Sequence, residues 1–112
     1  MAERLYLLNP DWFDDQGGPW FCPAGAMIEG VLGFYPRLRD ALQVTYLDHT
    51  RPRPAVIAEV GEAHQGCPVL VLDGDFDWPQ AQVSAATGRR FLQDENIVPY
   101  LAARYGIGLP HP

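Results

Sequence analysis

Apolar runs alternate with helical patterns in the first half of this chain. Residues 4–8 form a short apolar run, and residues 42–47 alternate between apolar and polar side chains, both of which are typical of β-strands. Between them, apolar residues recur at helical spacing from Pro23 until Pro36 ends the pattern. A strand, a helix and a second strand predict a parallel β-α-β unit with a right-handed crossover.

The second half of the chain predicts a further helix and two paired strands. The helix begins near Pro54, and residues 67–72 form the clearest strand of the sequence. A loop over about 73–87 follows, and residues 88–92 are expected to return beside that strand as its antiparallel partner.

A closing helix is predicted over about 94–105, with Gly106 in its C-cap position and a kink at Pro99. The order of elements is then β-α-β-α-β-β-α. We expect a single α/β domain over residues 1–112, with a four-stranded mixed sheet and helices on both faces.

Composition and charge exclude several classes of partner. Of 112 residues 47% are hydrophobic, which is enough for one core, and the net charge is −6 with eight arginines and no lysine. An acidic chain without a basic run is a poor ligand for nucleic acid or an anionic membrane. The sequence lacks the roughly 20 consecutive apolar residues of a membrane span and the pattern of a signal peptide. We therefore expect a cytoplasmic protein with no nucleic-acid or membrane partner.

Two cysteines, Cys22 and Cys67, carry the candidate chemistry, and they are too few and too distant in sequence for a disulfide scaffold. Cys22 precedes Pro23 at the start of the first predicted helix. Free backbone N–H groups and the helix dipole stabilise a thiolate there, and a thiolate attacks disulfides. The alternative is that Cys22 is a small buried residue, a common fate of free cysteine.

The segment around this helix has two further unusual features, each with two interpretations. The aromatic residues Trp12, Phe13, Trp20 and Phe21 precede Cys22, and they either form the wall of a pocket or cover the sheet edge. The helix itself carries only Glu29 as a charge. Such a helix is either a dimer interface or is covered by the aromatic loop.

Three segments resemble proteins of the thioredoxin fold. FCPAG at 21–25 resembles a glutaredoxin active site, GCPVLVL at 66–72 resembles the segment with that fold's cis-proline, and QDENIVPYLAARYG at 93–106 resembles a glutathione transferase signature. Their combination is similar to an uncharacterised family of short bacterial proteins, catalogued as a domain of unknown function with a thioredoxin-like fold. The resemblance spans nearly the whole chain except the loop at about 73–87.

This resemblance implies a thioredoxin-like domain of the glutaredoxin and glutathione transferase N-terminal type, with Cys22 as the nucleophile. The dithiol form of that chemistry is excluded, since the position of the second cysteine holds Gly25. The residue before the cis-proline lies beside the active-site cysteine in this fold, so Cys67 is a candidate resolving thiol. Alternatively, Cys67 is only a small residue tolerated at that position.

The resemblance also implies contacts for glutathione, which is the expected co-substrate. The Cys67–Pro68 backbone would pair with the tripeptide, Asp94 would accept its amino group, and Arg89 or Arg90 would meet a carboxylate. Asp94 is also a natural helix N-cap, and the alternative for the arginines is a solvated strand edge. The implied substrate-binding residues are Pro23, Cys67, Pro68, Gln93, Asp94 and Arg89.

The function expected from these features is thiol–disulfide chemistry like that of a single-cysteine glutaredoxin. Glutathione or another thiol or disulfide peptide is the candidate partner, and a homodimer is the candidate assembly. No resident cofactor and no metal are predicted, because His64 and the two cysteines have irregular spacing for a metal site. The alternative is a non-catalytic thioredoxin-like module for binding or dimerisation.

Overall fold

A computed structural model describes residues 2–112, which form a five-stranded mixed sheet, a small hairpin and four helices. The strands are β1 Glu3–Leu8, β2 Trp12–Asp14, β3 Gly17–Trp20, β4 Leu42–Leu47, β5 Val69–Val71, β6 Gln82–Val83 and β7 Arg90–Gln93. The helices are α1 Pro23–Phe34, α2 Arg37–Ala41, α3 Pro54–Val60 and α4 Ile97–Tyr105. Short 3₁₀ turns cover Glu62–His64 and Asp94–Asn96.

The order of strands in the main sheet is β4-β1-β5-β7-β6. Strands β1 and β4 are parallel, as the β-α-β pattern predicts, and β5 and β7 pair antiparallel, as expected for the returning strand. The alternation of side chains explains the layers, since Leu5 and Leu7 of β1 lie in one core cluster while Tyr6 and Leu8 pack against another. The first cluster contains buried residues of α1 and α4, and the second contains those of α3, so helices cover both faces as predicted.

The main sheet has five strands where four were predicted, because part of the 73–87 loop pairs with β7. Ser84 explains how the extra strand β6 is held. Its buried hydroxyl donates to the Val60 carbonyl at 2.8 Å and accepts the N–H groups of Ala86 and Thr87 at 3.2 Å. This contact fixes the loop against the end of α3.

The last helix begins later than predicted. Asp94–Asn96 form a 3₁₀ turn, and α4 itself starts at Ile97. Pro99 therefore lies in the first turn of α4, where its missing N–H breaks no helical hydrogen bond and requires no kink. Gly106 ends the helix in the left-handed conformation (φ 71°), as expected for its C-cap position.

Two buried carboxylates on opposite faces of the sheet connect β1 to the helices. Glu3 is 1% exposed and accepts hydrogen bonds from Tyr100, Tyr105 and Arg104 of α4. On the other face, Arg4 donates to Glu59 of α3. Adjacent residues of β1 thus anchor the two helix layers through opposite charges.

Candidate functional site

Cys22 is the N-cap residue of α1, with an extended backbone (φ −77°, ψ 119°). Its sulfur accepts the backbone N–H of Gly25 at 3.4 Å, and Pro23 follows in the first helical turn, where proline is favoured. The side chain is half-buried. The sulfur therefore lies at the positive end of a 12-residue helix, where negative charge is stabilised.

The fold brings Cys67 beside Cys22, although 45 positions separate them in the chain. The Cys22 sulfur lies 3.7 Å from the Cys67 carbonyl oxygen, and both cysteines are free thiols. Cys67 is 8% exposed and is followed by Pro68 across a cis peptide bond. The Cys22 thiol and the Cys67 backbone therefore meet at the start of α1, while the Cys67 side chain packs in the second core cluster.

The two thiols have different surroundings. Burial raises the pKa of Cys67, although the charges of Arg53 and Arg51 act in the opposite direction. Its thiol lies 3.9 Å from the Gln65 carbonyl oxygen, to which it donates. Burial thus favours the neutral form of the Cys67 thiol, while the half-buried Cys22 is the more accessible of the pair.

Three of the other predicted residues lie next to Cys67. The Pro68 carbonyl accepts the backbone N–H of Asp94 at 3.2 Å, and the Gln93 side-chain amide donates to the Gly66 carbonyl at 3.0 Å. Asp94 is exposed, has a left-handed backbone (φ 53°) and opens the 3₁₀ turn before α4. Burial and then the charge of Glu95 raise the pKa of Asp94.

The arginines predicted to meet a carboxylate are not at this site. Arg89 precedes β7 at the end opposite Gln93, roughly 13 Å along an extended strand. Its guanidinium donates to the Glu59 carboxylate at 2.6 Å, and Arg90 donates to the Phe76 carbonyl at 3.0 Å. Both side chains therefore bind other parts of the protein, Arg89 a carboxylate of α3 and Arg90 the loop before β6, at the end of β7 away from Gln93.

A groove of about 530 Å³ opens in front of Cys22. Its floor is apolar, and Glu29 and Tyr46 provide polar groups in its lining. The Tyr46 hydroxyl donates to the Glu29 carboxylate, and Arg39 donates to both side chains at 3.3–3.4 Å. The lining residues are Leu7, Leu8, Asn9, Pro10, Phe21, Cys22, Gly25, Ala26, Glu29 and Tyr46.

Glu29 was not predicted to belong to this site, although the sequence contains a signal for it. Glu29 follows Cys22 by seven positions, which is close to two helical turns and places both residues on one side of α1. Of the four aromatic residues before Cys22, Phe21 lines the groove, while Trp12 stacks on His49 with ring centroids 5.3 Å apart.

A second cavity of about 360 Å³ lies on the opposite side of the α1 N-terminus. It is lined by Pro23, Ala24, Met27, Ile28, Asp94, Glu95, Val98, Pro99 and Pro110. Two predicted substrate-binding residues, Pro23 and Asp94, therefore share this cavity, and Cys22 lines the groove on the other side.

Arg53 is a further polar residue near the site, and no role was predicted for it from the sequence. It is 8% exposed, and its guanidinium donates to the carbonyls of Gln65, at 2.7 Å, and His49. These bonds fix the segment that leads into Cys67. An arginine directly before Pro54 is visible in the sequence. Its burial could not be predicted, because it depends on the carbonyls of Gln65 and His49, which the local pattern does not place nearby.

Two other findings bear on the classes of function. Among residues 2–112, no three His, Cys, Asp or Glu side chains are grouped to hold a metal ion, and the His64 ring packs on Phe91 instead. None of the helices that the structure describes is both long and apolar enough to cross a membrane.

Comparison with known proteins identifies a family for this chain. No curated protein and no solved structure matches the chain. A family model described as "Protein of unknown function (DUF3088)" matches residues 2–109, which include both cysteines, the whole sheet and all four helices. The chain belongs to this DUF3088 family.

Proposed function

We propose that this protein catalyses thiol–disulfide exchange with Cys22 as its nucleophile, in the manner of a single-cysteine glutaredoxin. The observation that carries the proposal is the position of the Cys22 sulfur, at the α1 N-terminus and 3.7 Å from the Cys67 backbone. A helix N-terminus stabilises the thiolate, which is the attacking species. Cys22 also lines an open groove, which an inert buried cysteine does not.

We propose a thioredoxin-like fold for the domain. When the β2-β3 hairpin, the short α2 and the two-residue β6 are set aside, the remaining elements follow the order β-α-β-α-β-β-α. This is the order that the three resembling segments imply, and it supports assigning them to one fold. Fold alone does not establish activity, so the function rests on the two cysteines.

The exchange has two steps. The Cys22 thiolate attacks one sulfur of a disulfide, a new sulfur–sulfur bond forms, and the other half leaves as a thiolate that takes a proton from solvent. The Cys67 thiol then releases its proton to solvent and attacks the Cys22 sulfur, and the bound half leaves as a thiolate that takes a proton from solvent to become a second thiol. The substrate disulfide is reduced, and the two cysteines are oxidised to an internal disulfide.

Glutathione is the proposed half that remains on Cys22 after the first step. It would lie along the edge formed by Cys67, Pro68, Gln93 and Asp94, where Asp94 is exposed and able to accept an amino group. Arg89 has no part in this proposal, because it pairs with Glu59 at the other end of β7.

The test compares wild type, Cys22→Ser and Cys67→Ser with glutathione disulfide, using intact mass after acid quenching. We expect wild type to lose two hydrogens as a monomer, Cys67→Ser to accumulate the glutathione adduct, and Cys22→Ser to form neither species. We also expect Cys22 to react at least about tenfold faster in the folded chain than in the urea-unfolded chain. Equal rates, or only intermolecular disulfides, would contradict the proposal.

A second candidate function is dimerisation through α1, and exposed apolar side chains favour it. Phe34 is 81% exposed and Met27 is 52% exposed, so the aromatic hairpin does not cover this side of the helix. Leu109, 65% exposed, lines the same shallow cavity as these two residues. A second copy of the chain is the proposed occupant, since a two-fold axis would place the same apolar face of each copy against the other and bury both.

A further inference from the structure

The groove in front of Cys22 has a charge pattern that the glutathione proposal does not use. Cys22 lines this groove on one side of α1, while Asp94 lies on the other side, in the second cavity. A disulfide has two halves, and when Cys22 attacks one of them the other departs. The departing half therefore needs a place of its own beside the Cys22 sulfur.

We infer that this groove binds the departing half, and that Glu29 selects a half with an apolar body and a terminal ammonium group. This inference rests on the proposed exchange at Cys22. Among the described residues that line the groove, Glu29 is the one that carries a carboxylate. The remaining lining is largely apolar, so an ammonium finds a counter-charge there, and a terminal carboxylate meets repulsion.

The position of Glu29 sets the length of the preferred substrate. Glu29 lies seven positions after Cys22, which corresponds to roughly 10 Å along the helix axis. Side chains of a helix lean toward its N-terminus, so the carboxylate lies somewhat closer to the sulfur than this. An ammonium at the end of a chain of about six methylene groups reaches it, and one after two methylene groups does not.

Tyr46 and Arg39 hold the carboxylate in place. Tyr46 lines the groove and donates its hydroxyl to Glu29, while Arg39 donates to both side chains without lining the groove. Burial and the bond to Glu29 raise the pKa of the Tyr46 hydroxyl, so it remains a donor. Arg39 reduces the negative charge that the groove presents, and its removal is therefore expected to strengthen the selection.

The test uses three symmetrical disulfides whose six-carbon arms end in ammonium, hydroxyl or carboxylate. The measured quantity is the rate at which the Cys22 thiol disappears, followed by acid quenching and intact mass at low salt. We expect wild type to prefer the ammonium form over the carboxylate form by about fivefold, the size expected for one partly exposed charge. The two-carbon disulfide cystamine is expected to show no gain over its hydroxyl analogue.

Three variants distinguish the effect of Glu29 from the effect of the protein's overall negative charge. Glu29→Gln should lower the ammonium-to-carboxylate ratio at least threefold, and Arg39→Gln should raise it. The matched control is Glu62→Gln, because Glu62 is exposed, does not line the groove and loses the same charge. Circular dichroism of each variant confirms that it is folded.

The experiment distinguishes a failure of the selection by Glu29 from a failure of the exchange at Cys22. If the folded protein reacts with all three disulfides but Glu29→Gln leaves their ratio unchanged, the selection is refuted and the exchange stands. An equal fall in Glu62→Gln would also refute it, since net charge would then explain the preference. If Cys22 reacts with none of the disulfides, both the exchange and the selection are refuted.

Discussion

Gly25 is the residue that separates this site from dithiol chemistry. A Cβ atom built at this position lies 3.5 Å from the Cys22 Cβ and 3.7 Å from its sulfur, which is ordinary van der Waals contact. Cβ atoms joined by a disulfide are about 3.5–4.5 Å apart. The backbone is therefore already arranged for a second cysteine, and only the side chain is missing.

We predict that Gly25→Cys forms a disulfide between positions 22 and 25 under mild oxidation and gains the ability to reduce insulin. The mass of a peptide linking these two positions after proteolysis of the oxidised protein measures the bond. Gly25→Ser is the control, because it adds a similar volume without a thiol. Failure of Gly25→Cys to oxidise within the monomer would contradict the geometry at the α1 N-terminus.

At the residue scale the sequence predicted part of the site. The resemblance to thioredoxin-like proteins implied that Cys67 lies beside Cys22, and the Cys22 sulfur is 3.7 Å from the Cys67 carbonyl oxygen. The position of Arg89 was not predictable, since its partner Glu59 is 30 positions away on another element. Glu29 was predictable in principle from helical spacing, but nothing local showed that a groove opened on that side.

At the element scale, the attachment of α3 to the sheet depends on Glu59. Burial alone would raise the pKa of Glu59, but hydrogen bonds from Arg4 and Tyr6 and the charge of Arg89 outweigh it, so the pKa is lowered. A depressed folded pKa contributes stability that is present above the unfolded value, about 4.5, and is lost as pH falls through the folded value.

We predict that Glu59→Gln lowers the free energy of unfolding by about 2 kcal/mol at pH 7, because it removes charged hydrogen bonds to two arginines. The difference from wild type should begin to shrink below about pH 4.5, where Glu59 of the unfolded chain takes up a proton, and should continue to shrink as pH falls through the lowered pKa of Glu59 in the folded chain. Urea unfolding at a series of pH values from 7 into the acid range measures this difference in unfolding free energy. Glu62→Gln is the control, because Glu62 is exposed. A loss that does not vary with pH would show that the charge of Glu59 is irrelevant.

The sequence predicted long elements well and short ones poorly. Strands β1 and β4 stand out because their patterns run for six residues each. The hairpin strand β3 was not predicted, since its four residues include two glycines and Pro19, all unfavourable in strands. Strand β6 is two residues long and depends on the distant contact of Ser84 with α3, which no local pattern shows.

At the scale of the whole molecule, the exposed face of α1 predicts an oligomer. We expect wild type to dimerise and Phe34→Glu to raise the dimer dissociation constant by at least about 100-fold, because a two-fold interface loses the buried ring twice. Light scattering over a range of concentrations measures it. Val83→Glu is the control, since Val83 is similarly exposed but lies on β6, away from α1. A wild type that stays monomeric up to about 100 µM, well above the range of a specific interface, would contradict this prediction.

The opposite charges of Glu3 and Arg4 also disfavour pairings in which β1 is shifted in register. A slip of β1 by one residue turns every side chain to the other face. In one direction the slip puts Glu3 in the place of Arg4, against the carboxylate of Glu59, and in the other it puts Arg4 in the place of Glu3, against Arg104. Each misregistered chain therefore contains a pair of repelling charges in a largely buried place, and only the native register matches opposite charges on both faces of the strand.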